Sequence, residues 1–184
     1  MPPQISELQQ QLTDVTDRVS RSFGGLSAEE LRRRPAPDRW SVAECMAHLT
    51  MTTQAMLPDL EAVMARAPAS AGRPLRPSFL GGKLARWLEP PVRRRMKTSA
   101  SFVPSPANTD GDVLEEFTQS QEKLRELLRL YGDRDLNRVY VRSPFNRLVR
   151  YNAYSAFLIL VAHQRRHVWQ AEAGRREDGR RDDS

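Results

Sequence analysis

Apolar residues fall at helical spacing in four long stretches of the chain. In the first, Ile5, Leu8, Leu12, Val15, Val19 and Phe23 recur at steps of three and four, which returns each to one face of a helix. Ser6 and Gln9 offer a capping box at its start and Gly24-Gly25 a stop. A short helical turn is expected at Ala28 to Arg33, where Ser27 and Glu30 repeat the capping arrangement before "RPAP" breaks it.

The second long helix opens at "WSVAECMAHL". Ser41 can accept from the backbone N–H of Glu44, whose carboxylate can reach back to the Ser41 N–H, while Trp40 and Cys45 occupy the positions of a hydrophobic staple. This helix is expected to run to about Leu57, with Pro58 either ending it or kinking it. A third helix starts near Thr109 to Asp112 and carries Val113, Phe117, Leu124, Leu127, Leu128 and Tyr131 to a stop at Gly132. The fourth is "YSAFLILVAHQRRHVWQAEAG", with Asn152 as a cap and Gly174 as its stop. Beyond it, "RREDGRRDDS" has no apolar residue, so residues 175–184 are expected to form a disordered charged tail after a single domain over 1–174.

Residues 67–108 are different in kind. They hold seven prolines (68, 74, 77, 90, 91, 104 and 106) and no sustained period, although "SFLGGKLARWL" suits a short helix starting after Ser78. A connection this long is either a cover over a site or a surface excursion that packs Phe79, Leu80, Trp87 and Leu88 on the bundle. Between the third and fourth helices, the alternating patch "VYVR" is too short to establish a sheet. Four amphipathic helices without a convincing strand predict an all-α, four-helix-bundle fold with a long Pro-rich connection between the second and third long helices.

Composition narrows the function classes. No apolar run approaches the length of a bilayer, and the first residues lack a basic segment followed by a hydrophobic one, so a cytoplasmic protein is expected, with no membrane as partner. The lone Cys45 excludes an internal disulfide. A net charge of +6 invites nucleic acid, but only three of 29 basic residues are lysines and acidic residues lie within or beside two of the Arg-rich runs. Solvated surface charge is the preferred explanation.

The chemistry that stands out is histidine. His163 and His167 lie on one stripe of the fourth helix with Ala156, Ile159, Leu160 and Gln170, and His48 shares a face of the second with Cys45, Leu49 and Thr52. All three histidines therefore fall on inward or near-inward faces of two capped helices. An i, i+4 pair can present two nitrogens to one ion, and a third from a neighbouring helix completes a face of three. Three neutral imidazoles leave the ion its full charge and an open position for a water, thiol or carbonyl, and they suit Zn²⁺, with Ni²⁺, Co²⁺ or Fe²⁺ as alternatives. The competing explanation is three satisfied core histidines. Glu44 could orient His48, although its capping role already explains it, and Gln170 is a candidate to touch a ligand imidazole or the substrate. No HExxH motif, phosphate-binding glycine loop or nucleophile elbow is present.

At "WSVAECMAHL" and "HQRRHVWQ" the chain resembles the DinB-like (DinB/YfiT-like) four-helix-bundle superfamily of metalloenzymes. Trp40, Ser41, Glu44, His48 and Leu49 match its W-S-x-x-E-x-x-x-H-L segment, and His163 and His167 its closing H-x-x-x-H, in the family's order across roughly residues 5 to 173. The resemblance implies a divalent metal, zinc or nickel foremost, held by His48, His163 and His167 beside a pocket. It also implies a homodimer and, by analogy with members of known activity, a low-molecular-weight thiol as cosubstrate. The Pro-rich stretch 67–108 departs from shorter members of the family.

Two classes of function follow. The first is a metal-dependent enzyme, a thiol S-transferase or hydrolase, acting on a small-molecule substrate. The alternative is a non-catalytic bundle clamped by the metal, which binds a small molecule or partner protein. A fourth protein ligand such as Cys45 would favour the alternative, because a closed site leaves nowhere for substrate.

Overall fold

In the computed structural model, residues 2–91, 98–146 and 148–182 are described, with the side chains of the last helix described as far as Arg176. The four long periodic stretches form α1 (Pro3–Phe23), α3 (Val42–Ala65), α5 (Val113–Tyr131) and α6 (Ala153–Asp182). Two short helices, α2 (Ala28–Arg32) and α4 (Phe79–Leu88), lie between them. Both α1 and α3 pack on α5 and on α6, which closes the four-helix bundle, and α4 lies along α6.

The caps explain most boundaries. Ser27–Glu30 and Ser41–Glu44 both form the reciprocal capping box, and Asp112 accepts from the Glu115 amide at the start of α5. At Ser78 the hydroxyl receives the Gly81 amide and opens α4. Asn152 Oδ1 accepts from the Ser155 N–H at 2.9 Å, which starts α6 directly from a strand.

Three boundaries differ from expectation. The first helix begins at Pro3 without a side-chain cap, leaving Ser6 and Gln9 inside it: Pro3 has no N–H to satisfy and a φ suited to the first turn, and the Ile5 amide donates to the Pro2 carbonyl at 3.0 Å. Pro58 does not end α3, which runs to Ala65. Both Pro58 and Gln54, whose carbonyl loses its helical donor, are exposed, so water can satisfy that carbonyl. Nor does Gly174 stop α6, which continues to Asp182 where an unstructured tail from 175 was expected. Gly174 is buried, and a Cβ there would stand 3.0 Å from Pro35 Cγ, so its glycine serves close packing.

Two apolar clusters fill the bundle. One gathers Ile5, Leu8, Leu12, Leu60, Met64, Leu124 and Phe157, and the other Val15, Val19, Phe23, Cys45, Leu49, Phe117 and Val168. Each fully buried Leu or Phe contributes about 1.5–3 kcal/mol. At the second cluster's end, Arg18 forks onto Glu172 at 2.8 and 2.6 Å, and so ties α1 to α6.

The structure adds a small sheet to the expected all-α architecture. Strands β1 (Tyr140–Arg142) and β2 (Arg150–Asn152) pair antiparallel, with Val141 opposite Tyr151. Those two partners point into the core while Tyr140, Arg142 and Arg150 face solvent. The hairpin packs on α3, α4 and α6.

The Pro-rich connection is held by its backbone: the Ser70 and Arg76 amides donate to the Asp133 carbonyl and to Asn137 Oδ1, and its carbonyls accept. Arg134 donates to the carbonyls of Ala65 and Ala67, the Asp135 amide to that of Pro68, and the Asn137 amide side chain to that of Pro74. Asn152 Nδ2 donates to the Arg76 carbonyl at 2.9 Å. Residues 92–97 of the connection lie outside the described residues.

Candidate metal centre

The periodicity of α6 separates two faces. Phe157, Gln164, Val168 and Ala171 turn to the bundle core, whereas Ile159, His163, His167 and Gln170 turn to a lateral cavity. On α3, Cys45 and Leu49 belong to the core while His48, Thr52 and Met56 line the same cavity. Its volume is about 870 Å³, and its walls are completed by Leu84, Trp87 and Leu88 of α4, by Phe145 and Tyr151 of the hairpin region, and by Thr98, Ser99 and Val103 of the Pro-rich connection. A cavity of this size suits a small molecule.

His48, His163 and His167 meet at this cavity. One nitrogen from each ring lies within 4.8 Å of the others, and ring centroids are separated by 5.1 Å (His48–His163), 4.6 Å (His48–His167) and 4.7 Å (His163–His167). His48 Nε2 is 3.2 Å from His163 Nε2. Its Nδ1 lies 2.7 Å from the Phe102 carbonyl. A carbonyl only accepts, so Nδ1 carries the proton and Nε2 keeps its lone pair toward the other imidazoles. Trp40 stacks beside His167 at 5.8 Å, and Phe145 stands edge-on to His163 at 5.9 Å.

Electrostatics hold the cluster neutral. Burial, then the charges of His48 and Arg166, push His163 down to about 3. Burial first, then the neighbouring His163, His48 and Arg166, push His167 well below the ordinary imidazole value. Burial also lowers His48, against the opposing bond to Phe102. Neutral imidazoles are what a divalent ion requires of its ligands.

The residues fit such an ion on a separate observation. His167 Nδ1 is buried and has no hydrogen-bond partner among the described residues, which is costly in a core and explained where the ring serves as a ligand. The donor set of three nitrogens from two helices, close together on a cavity wall, is the arrangement an open metal site needs.

Other expected residues divide. Gln170 lines the cavity. Glu44 does not. It is not among the lining residues; its carboxylate receives the Ser41 amide at 2.9 Å and a fork from Arg34, whose Nε lies 2.9 Å away. Burial alone would raise the Glu44 carboxyl, but the bonds from Arg34 and Ser41 outweigh it and hold it below the usual range. Cys45 is wholly buried in the apolar core, its thiol pushed far up by burial, and is not part of the histidine group. Sequence reasoning missed Phe102, Phe145 and Arg166. The first two come from irregular segments without periodicity, and Trp40, read there as a staple, also walls the imidazoles.

A family model described as the DinB superfamily matches residues 11–171. The chain belongs to the DinB superfamily. Among solved structures, this DinB-superfamily protein is similar to YfiT from Bacillus subtilis, described as a probable metal-dependent hydrolase with an unusual four-helix bundle topology. The TM-score is 0.61 at 15% identity, over 97% of this chain and 90% of that one, so the likeness is one of fold. No curated protein matches the chain in sequence. Among the described residues, no helix is long and apolar enough to cross a membrane.

Proposed function

We propose that this DinB-superfamily protein is a metal-dependent enzyme, a hydrolase or thiol S-transferase, with His48, His163 and His167 as the ligands of one divalent ion, zinc or nickel. The observation that carries the reading is the convergence of three neutral imidazole nitrogens within 4.8 Å on the wall of a cavity large enough for substrate. The description of YfiT as a probable metal-dependent hydrolase supports it.

A divalent ion held by three neutral nitrogens supplies Lewis acidity, which lowers the pKa of a bound water or thiol. The chain's own residues prepare that chemistry. Phe102 fixes the tautomer of His48, and the rings of Trp40 and Phe145 pack against the imidazoles. Among the described lining residues Asp38 is the sole carboxylate, and it is exposed. The clamp reading loses its proposed fourth ligand, since Cys45 lies in the core. The proposal takes residues 1–174 as one domain acting as a homodimer in the cytoplasm, which light scattering and cell fractionation would check.

The deciding experiment is elemental analysis of protein purified without chelators, with His163→Ala alongside. Near one divalent ion per chain in the parent and little in the variant is expected. Equal content in both overturns the ligand assignment. Hydrolysis of ester and amide substrates, with and without added low-molecular-weight thiols, then separates the two reaction classes.

A further inference from the structure

The chain's positive charge is unevenly spread. Residues 66–88 hold five basic residues and no acidic one, and residues 136–152 hold four and none, so these two stretches carry more positive charge than the net +6 of the whole chain. The first contains α4 and the second the β1–β2 hairpin, and α4 packs on β2. Trp87 of α4 and Phe145 of the hairpin loop line one cavity while each is about half exposed, so both elements present the same side of the molecule. On α4, Phe79, Leu80, Lys83, Arg86 and Trp87 recur at helical spacing along one exposed face. Phe79 is 80% exposed there, and Leu148 in the hairpin loop is 92% exposed. Beside them, Arg142 and Arg150 stand directly opposite each other in the ladder, both facing solvent, which is unfavourable for like charges unless an anion lies between them and the medium. No ion pair among the described residues engages Arg76, Lys83, Arg86, Arg142 or Arg150, and Glu89, just past α4, is bound by Arg165.

We propose that α4 and the β1–β2 hairpin dock this protein on an anionic lipid surface, with Phe79, Leu80 and Leu148 entering the headgroup layer and the cations meeting lipid phosphates. An interfacial contact combines the two features found here, outward apolar side chains and basic ones beside them. Nucleic acid would engage the cations yet leave the most exposed side chains, Phe79 and Leu148, in water. A second copy of the chain fits less well, because a two-fold contact would set this acid-free face against itself and oppose like charges. The expectation of no membrane partner rested on the lack of a spanning segment, and a surface contact needs none. The inference is independent of the metal.

The test is flotation of the full chain with phosphatidylcholine vesicles and with mixed phosphatidylcholine–phosphatidylglycerol vesicles, at low and high salt. The variants are Phe79→Ser with Leu148→Ser, Lys83→Glu with Arg86→Glu, and, as a control on the exposed surface of α1, Arg21→Glu. All substituted positions are exposed, and circular dichroism confirms that the variants fold. The parent is expected to float with the anionic vesicles, less so at high salt, and not with the neutral ones. Each patch variant should lower its partition onto anionic vesicles by about tenfold or more, and Arg21→Glu should match the parent. No flotation, equal flotation with neutral vesicles, flotation that survives in either patch variant, or an equal loss in Arg21→Glu overturns the inference. Light scattering and titration with duplex DNA read the other occupants. A parent dimer that becomes monomeric in Phe79→Ser with Leu148→Ser overturns it in favour of a second copy. DNA binding that Lys83→Glu with Arg86→Glu abolishes, with no flotation of the parent, overturns it in favour of nucleic acid.

Discussion

His48 and Phe102 are joined across 54 positions of chain by a 2.7 Å bond from the imidazole Nδ1 to the backbone carbonyl. The carbonyl belongs to a 3-10 turn, Ala100–Phe102, in the Pro-rich connection, and the ring to α3. The connection thus sets the tautomer of a candidate metal ligand, and its residues Thr98, Ser99 and Val103 form part of the cavity wall. Phe102 is kept in place by its ring contact with Phe145 at 4.9 Å. Replacing Phe102 by Ala frees this turn. Zinc affinity, read by competition with a chromophoric chelator, should fall roughly tenfold without loss of one-to-one stoichiometry. Unchanged affinity would show that the connection does not orient His48.

Glu44 and His163 separate stability from metal binding. Glu44→Ala breaks the capping box and the Arg34 fork, and should cost about 1–2 kcal/mol, a drop of roughly 2–8 °C in melting temperature. Its metal content should stay near that of the parent. His163→Ala should do the reverse, abolishing stoichiometric metal at modest cost to the fold. If Glu44→Ala lost its metal while still folded, the carboxylate would have a role at the site that its bonds do not indicate.

Acid should weaken the metal-free protein. The folded state keeps His163 neutral down to about 3, whereas the unfolded chain protonates it near 6.5. Between those values the unfolded state binds more protons, so stability is full above the window and declines as pH falls through it. The slope is up to about 1.4 kcal/mol per pH unit for each such imidazole. Urea titrations at pH 7, 5.5 and 4.5 in the presence of chelator check this; a pH-independent midpoint would contradict the buried neutral rings.

Gly81 allows α4 to lie close on α6. A Cβ there would come within 2.4 Å of Ser155 Cβ, in the helix whose hydroxyl also receives the Ser78 amide at 2.9 Å. Gly81→Ala should therefore destabilise by about 1–3 kcal/mol despite alanine's better helix propensity. The wall carrying Leu84 and Trp87 should loosen, which raised Trp fluorescence quenching by acrylamide would report. A more stable variant would mean that the two helices separate at no cost.

Gln164 sits at the opposite extreme. Its side chain is fully buried between the two apolar clusters' helices, and neither amide atom has a hydrogen-bond partner among the described residues. Burying an unpaired amide costs about 1–3 kcal/mol, so Gln164→Met should raise the melting temperature. A lowered one would assign the amide a polar partner within the core.

What the residues determined by themselves was local. Spacing at three and four set the faces of α1, α3, α5 and α6, and the Ser-x-x-Glu pairs marked the starts of α2 and α3, because capping and amphipathicity act within a turn or two. The same locality made the three histidines legible as inward residues and the family recognisable from two short motifs. Tertiary structure decided the rest. It separated His48 from Cys45 and Leu49 on one helix, turning the first to the cavity and the others to the core. It let α6 run past Gly174, paired β1 with β2, and engaged Glu44 with Arg34. It brought the Phe102 carbonyl to His48 and Arg166 against Trp87. Each of these depends on which surface a distant segment presents, and no period within one helix encodes that.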